Sequence, residues 1–170
     1  MSWKRLKTLV INNLFNNKKI LIAILVCQLA GAVGSIFTAP SISTWYVSLQ
    51  KPFFTPPNWV FGPVWITLYF LMGVSAFLVW NGGFESKEVR RALSIFGVQL
   101  VLNVLWSFLF FGLHSPLYGF IGIVLLWVAI AFTIFEFFKI SKKAGLMFIP
   151  YIVWVSIAAA LNYYVWVLNP

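Results

Sequence analysis

Residues 45–57 read Trp45-Tyr46-Val47-Ser48-Leu49-Gln50-Lys51-Pro52-Phe53-Phe54-Thr55-Pro56-Pro57, and the chain runs on through Asn58-Trp59-Val60-Phe61-Gly62-Pro63-Val64-Trp65. This stretch separates two apolar runs that are each long enough to cross a bilayer. It carries four prolines, Pro52, Pro56, Pro57 and Pro63, and three tryptophans, Trp45, Trp59 and Trp65. Each proline fixes its own φ and restricts the residue before it, so the connector is stiff. A link that only joined two helices could be short and polar. A long, rigid, aromatic one reads as a lid over a space between helices; an interfacial anchor that holds no ligand is the plainer alternative.

Outward from this stretch the chain is apolar nearly throughout. Of 170 residues, 62% are hydrophobic and 9% charged, with a mean hydropathy of +0.94. That places it among membrane proteins. Nine Trp, six Tyr and eighteen Phe exceed what interfacial belts need, so some rings should face inward. The single cysteine, Cys27, lies inside an apolar run and can form no intrachain disulfide. A net charge of +9 would suit a nucleic-acid partner, but the charges sit at the ends of apolar runs, where membrane topology explains them.

Five runs approach the roughly 20 residues that a spanning helix needs. They lie at about Ile20–Phe37, Pro57–Trp80, Val89–Gly112, Pro116–Phe138 and Ala144–Leu168. They are continuous rather than alternating, so the fold class is an all-α membrane protein, a bundle of five transmembrane helices. Two regions follow: a basic N-terminal extension, 1–19, and a five-helix domain, 20–170, with the first loop at about 40–56 as a lid. Trp3, Leu6, Val10 and Leu14 repeat at helical spacing in the extension, beside Lys4, Arg5 and Lys7, which suits an anionic membrane surface. Ser115 is positioned to cap the fourth helix with Pro116 at its first turn, and Pro150 to kink the fifth. Eleven of the twelve Lys and Arg fall on one side of the five spans and only Lys51 on the other. By the positive-inside rule the N terminus is cytoplasmic, in a membrane of the bacterial inner type.

Three helices present faces suited to a ligand. Gln99, Asn103, Trp106 and Phe110 share one face of the third span, and amides are costly against lipid, so that face should point into the bundle. It serves either helix–helix hydrogen bonding or as a polar handle in an aromatic pocket. Tyr151, Trp154, Ala158 and Asn162 share a face of the fifth span, and Trp65, Tyr69, Met72 and Ala76 one of the second. Flat rings with a few amides and phenols suit a flat apolar ligand with polar edges, although one such stripe alone is more often plain core. In the first span, Gly31, Gly34 and Ser35 favour close helix packing over ligand contact. Glu136 can pair with Lys139. His114, the one histidine, is read as a turn residue, with haem ligation as a remote option. No Cys/His/Asp cluster has metal spacing, no glycine-rich phosphate loop occurs, and three acids without a paired nucleophile argue against hydrolysis.

These residues carry a resemblance. Trp45-Tyr46-x-x-Leu49-x-Lys51-Pro52-x-x-x-Pro56-Pro57, then Trp65, Gln99-Leu100-x-Leu102-Asn103-x-x-Trp106-Ser107-x-x-Phe110-Phe111, Pro150-Tyr151-x-x-Trp154 and Leu161-Asn162-Tyr163 resemble the tryptophan-rich sensory protein / translocator protein (peripheral benzodiazepine receptor) family. The likeness covers about Ile20–Trp166, and its first motif is the most specific. It implies a homodimer of five-helix chains with a pocket closed by the first loop. It implies protoporphyrin IX-like tetrapyrroles, sterols or benzodiazepine-type molecules as ligands rather than a resident cofactor, and light-dependent porphyrin degradation in some bacterial members. Carried over by motif position, Trp65 and Asn103 would contact ligand, Tyr46 and Ala158 would line the pocket, and Trp65 with Trp154 would support photochemistry. Together with the helix faces, the expected ligand-binding set is Tyr46, Trp65, Tyr69, Gln99, Asn103, Trp106, Tyr151, Trp154 and Ala158. One departure concerns the sterol-recognition pattern of the animal proteins, which ends in a basic residue. Here Leu161-Asn162-Tyr163-Tyr164-Val165-Trp166 is followed by Val167-Leu168-Asn169-Pro170, which puts cholesterol in doubt and fits a bacterial member better. The expected function is a tetrapyrrole receptor in stress sensing or tetrapyrrole homeostasis, with a porphyrin-degrading enzyme or a transporter of porphyrins or sterol-like lipids as alternatives.

Overall fold

A computed structural model describes the backbone of residues 3–169 and the side chains of residues 17–169. The proposed amphipathic stripe at Trp3, Leu6, Val10 and Leu14 lies outside the described side chains. Seven α-helices follow in order: α1 Trp3–Ile42, α2 Trp45–Ser48, α3 Asn58–Trp80, α4 Lys87–Ser107, α5 Pro116–Ile140, α6 Lys142–Met147 and α7 Ile149–Leu168. No strand occurs among the described residues. Five segments of 23 to 27 residues are long and apolar enough to span: Asn17–Ile42, Asn58–Trp80, Lys87–Gly112, Pro116–Ile140 and Lys142–Leu168. At about 1.5 Å per residue they reach roughly 35–40 Å, enough for a hydrocarbon core of about 30 Å. The chain is thus an integral membrane protein with five spanning helices.

Local chemistry explains the boundaries. Ser115 caps α5 by accepting from Tyr118 N at 3.3 Å, with Pro116 at the first position. Ser86 caps α4 through Val89 N and also bonds the Glu88 carboxylate. Ser141 caps α6 by accepting from Ala144 N at 3.3 Å. The fifth span divides at Phe148, where Pro150 opens α7, so the kink expected from Pro150 is a break between two helices.

Two boundaries differ from the sequence reading. α1 continues through Pro40 to Ile42, past the expected end near Phe37. Pro40 lies within the last turn, where it removes one bond close to the helix end, and Ser41 secures that end by donating to Phe111 O at 2.9 Å. The third span ends not as α-helix but in a π-turn over Phe108–Gly112, with Leu113 N bonded to Phe108 O at 2.9 Å. The wider turn turns both Phe110 and Phe111 inward, their ring centroids 4.8 Å apart.

α1 and α3 approach closely toward the end of the bundle that carries most of the Lys and Arg. A Cβ at Gly73 would lie 2.6 Å from the Ile24 Cα, so only glycine permits this contact. Glu136, on α5, accepts from Lys139 at 2.9 Å, as its spacing suggests, and also meets Arg91 of α4 at 3.1 Å. Ser75 donates to Ala144 O at 2.8 Å and ties α3 to α6. At the opposite end, the chain from Trp45 to Pro57 crosses the bundle, and its course decides the shape of the site.

Candidate ligand-binding site

A cavity of about 420 Å³ lies among α1, α3, α4 and α7 at the Lys51 end of the bundle. Its aromatic wall is built at helical spacing. Trp65 of α3 meets Trp106 of α4 with ring centroids 5.9 Å apart, and Tyr69 lies 5.7 Å from Trp65 one turn on. Trp106 stacks on Phe110 at 6.2 Å and 15°. Buried amides and phenols then link the walls. Tyr69 Oη donates to Asn103 Oδ1 at 2.5 Å, and Asn103 Nδ2 donates to Tyr151 Oη at 2.6 Å. Gln99 Nε2 donates to the same Tyr151 oxygen at 2.7 Å. Trp106 Nε1 donates to Asn162 Oδ1 at 3.1 Å, and Asn162 Nδ2 to Ala158 O at 2.9 Å.

The network has one loose end. Tyr151 Oη receives two donors, which leaves its proton without an acceptor, and Gln99 Oε1 is buried without a partner. Rotating the Gln99 amide by half a turn lets Tyr151 donate to Oε1 and moves the unpaired group to Nε2. In either state the chain Tyr69–Asn103–Tyr151–Gln99 starts at the cavity and ends in the core.

The structure separates the nine expected ligand residues into two groups. Tyr46, Trp65, Tyr69, Asn103, Trp106 and Ala158 line the cavity. Gln99, Tyr151 and Trp154 do not. Gln99 and Tyr151 stand behind Asn103 and Trp65, with Trp65 and Tyr151 ring centroids 6.2 Å apart. Trp154 lies behind Phe61 at 5.9 Å, and its indole N–H has no partner. A helix face about 100° wide cannot place all its members on one cavity; α7 turns Ala158 and Asn162 toward it and leaves Tyr151 and Trp154 to pack.

Other wall residues were not anticipated. Gly31, Gly34, Ser35 and Thr38 of α1 line the cavity as well as packing. A Cβ at Gly31 would fall 2.5 Å from the Tyr69 ring, so this glycine makes room for the phenol that anchors Asn103. Phe61 of α3 and Phe111 of the π-turn also line it. The small residues four apart in α1 were a usable signal; the π-turn left none.

The connector closes the cavity by its first turn rather than by its prolines. Tyr46, in the short α2, is the part that reaches inside. Burial pushes its phenol above the ordinary value. Lys51 Nζ folds back onto α2, donating to Tyr46 O at 2.6 Å and Leu49 O at 3.0 Å, and partial desolvation draws its ammonium below the usual range. Trp45 stacks on His114 at 4.7 Å, and His114 Nε2 lies 3.2 Å from Ser41 Oγ. The Ser41 proton goes to Phe111 O, so His114 is the donor. Farther on, Gln50 and Asn169 exchange two hydrogen bonds of 3.0 Å, and Phe54 meets Tyr164 at 5.6 Å. The proline-rich half is thereby fastened to the end of α7.

No ionisable acid or cation lines the cavity among the described residues. Ser35 and Thr38 hydroxyls donate to carbonyls of their own helix, Ala32 O at 2.7 Å and Gly34 O at 3.2 Å. The space therefore suits a flat, largely apolar molecule held by stacking and a few neutral polar contacts.

Comparisons with known proteins agree in kind. Residues 23–167 match the model of the TspO/MBR family. The chain is 46% identical over 154 residues to the tryptophan-rich protein TspO of Archaeoglobus fulgidus, covering 91% of this chain and 99% of that protein. It is 43% identical over 157 residues to the tryptophan-rich protein TspO of Chlorobaculum tepidum, with 91% and 99% covered. It is 40% identical over 136 residues to the translocator protein of Homo sapiens, with 79% and 80% covered.

Proposed function

This chain belongs to the TspO/MBR family, and from that premise we propose that it is a membrane receptor for tetrapyrroles of the protoporphyrin IX kind. The observation that carries the reading is the pairing of Trp65 and Trp106, 5.9 Å apart, on a 420 Å³ cavity without charged walls. Indole faces attract a flat π-system by dispersion and stacking. Asn103 keeps one amide N–H beyond the bond it gives Tyr151, and Tyr46 brings a phenol; these are the groups for a polar ligand edge. Tyr69 and Tyr151 hold Asn103 from both sides, so little side-chain freedom is lost when it binds.

The reading extends to the setting. The basic end faces the cytoplasm of a bacterial-type cell membrane, the lid faces the opposite side, and the chain works as a homodimer in stress sensing or tetrapyrrole homeostasis. The clustering of Lys18, Lys19, Lys87, Arg90, Arg91, Lys139, Lys142 and Lys143 at one end of the spans supports the orientation. Titration of the protein in nanodiscs with protoporphyrin IX tests the function: tryptophan fluorescence should quench saturably, with one pigment per chain. Quenching that rises linearly without saturation would overturn it.

A further inference from the structure

We infer that the cavity exchanges its ligand sideways with the bilayer, through a slot between α1 and α3, while the lid stays fastened. The inference rests on the tetrapyrrole reading for the identity of the ligand, but the slot itself is a matter of geometry.

α1 and α3 are not parallel neighbours along their whole length. Toward the basic end they touch backbone to backbone at Gly73 and Ile24, and one turn nearer the lid Gly31 is filled by the Tyr69 ring. Nearer still, at Gly62, a Cβ would meet nothing within 4 Å. No atom of α1 fills the space beside α3 at that position. Ala32, Ser35 and Ala39 on α1 and Gly62 and Ile66 on α3 line the cavity and are also exposed on the outside of the bundle, Ile66 by 63%. Residues that belong to both an inner wall and an outer surface mark an opening.

The position of the opening decides what can use it. Gly62 and Ile66 lie four and eight residues into α3, and Ala39 and Ala32 three and ten residues before the end of α1. At about 1.5 Å per residue, the slot spans depths of roughly 5–15 Å below the lid end, within the hydrocarbon of one leaflet. The hydroxyls along its α1 edge are already satisfied, and the Gln28 amide oxygen is the one polar atom left open to a passing molecule at its lower end. Ser35 and Thr38 are bonded within α1, and Gln28 Nε2 closes the lower edge by donating to Ile66 O at 3.1 Å. A pigment whose flat ring already lies among acyl chains would enter without that ring crossing water.

The lid offers no comparable route. It is held by Trp45 on His114, Phe54 on Tyr164 and the Gln50–Asn169 pair. Opening it breaks several contacts at once, whereas the slot needs only displacement of lipid.

Stopped-flow quenching by protoporphyrin IX in nanodiscs tests the inference. Gly62→Phe and Ile66→Trp, which put bulk in the slot, should slow association and dissociation together, by about tenfold, the signature of a narrowed path rather than a lost contact. Asn169→Ala, which loosens the lid, should change neither rate. Unchanged rates in both slot variants, or faster exchange in Asn169→Ala, would overturn side entry. A ligand-free arm uses lipids with mid-chain bromines. The fluorescence that Trp65→Phe removes should be quenched by those lipids, and Gly62→Phe should protect it; no quenching of that component would overturn the slot. Failure of protoporphyrin to bind the unaltered protein would instead strike the tetrapyrrole reading, and the bromolipid arm would still decide the slot.

Discussion

Asn169 and Gln50 face each other across 119 positions of sequence and exchange hydrogen bonds, Gln50 N to Asn169 Oδ1 and Asn169 Nδ2 to Gln50 O, both at 3.0 Å. A side-chain amide here does what a neighbouring strand would do for an isolated backbone unit. It converts a proline-stiffened connector into a fixed part of the roof. Asn169→Ala should remove both bonds, worth about 1 kcal/mol each, and raise amide exchange at Gln50 by roughly fivefold or more. Asn169→Asp keeps the acceptor and should raise it less. Equal exchange in all three proteins would mean that the pair does not hold the lid.

Two glycines of α3 should respond oppositely. Gly73→Ala drives a methyl to within 2.6 Å of the Ile24 Cα and should cost about 1–3 kcal/mol of thermal stability, because backbone has to move. Gly62→Ala meets nothing within 4 Å and should be neutral or stabilise by up to about 1 kcal/mol through better helix propensity. Thermal unfolding in one detergent compares them directly. Similar melting temperatures for both variants would contradict the described approach of α1 and α3.

Tyr151 is the node of the buried network. Tyr151→Phe leaves the Asn103 and Gln99 amides without their acceptor and should cost about 1–2 kcal/mol, at the upper end for polar pairs inside membranes. It should also weaken pigment binding, although Tyr151 is not on the cavity wall, because Asn103 loses its hold. Tyr69→Phe frees Asn103 Oδ1 at the wall itself. A Tyr151→Phe protein that binds as before would show that Asn103 needs no second tether.

The receptor reading predicts that bound protoporphyrin bleaches in light no faster than the free pigment. Trp154 stands beyond Phe61 rather than on the wall. Faster bleaching that Trp154→Phe abolishes would favour the enzymatic alternative.

What the sequence made legible was whatever periodicity and charge can encode. Five spans, the Ser115 cap, an interruption at Pro150 (expected as a kink, found as a break) and the Glu136–Lys139 pair followed from run length, cap chemistry and spacing. So did the inward face of Gln99, Asn103, Trp106 and Phe110. What was not legible depended on rotations between helices. Trp154 and Ala158 share a face of α7, yet only Ala158 reaches the cavity, since nothing in one helix states where its partner's rings will fall. The Phe108–Gly112 π-turn follows ordinary helical sequence and announces itself only through the Leu113–Phe108 bond. The small residues of α1 read as packing because they do pack; the slot shows only in residues such as Ala32 and Ile66 that line the cavity and are exposed outside as well.

On the receptor reading, paired indoles and one tethered amide hold a flat pigment. Its most direct measurement is the dissociation constant of protoporphyrin IX for the unaltered protein and for the double variant Trp65→Phe/Asn103→Ala, both in nanodiscs and both shown to be folded. The double variant should lose about 1–3 kcal/mol, roughly fivefold to 150-fold in affinity. Equal constants for the two proteins would contradict that reading.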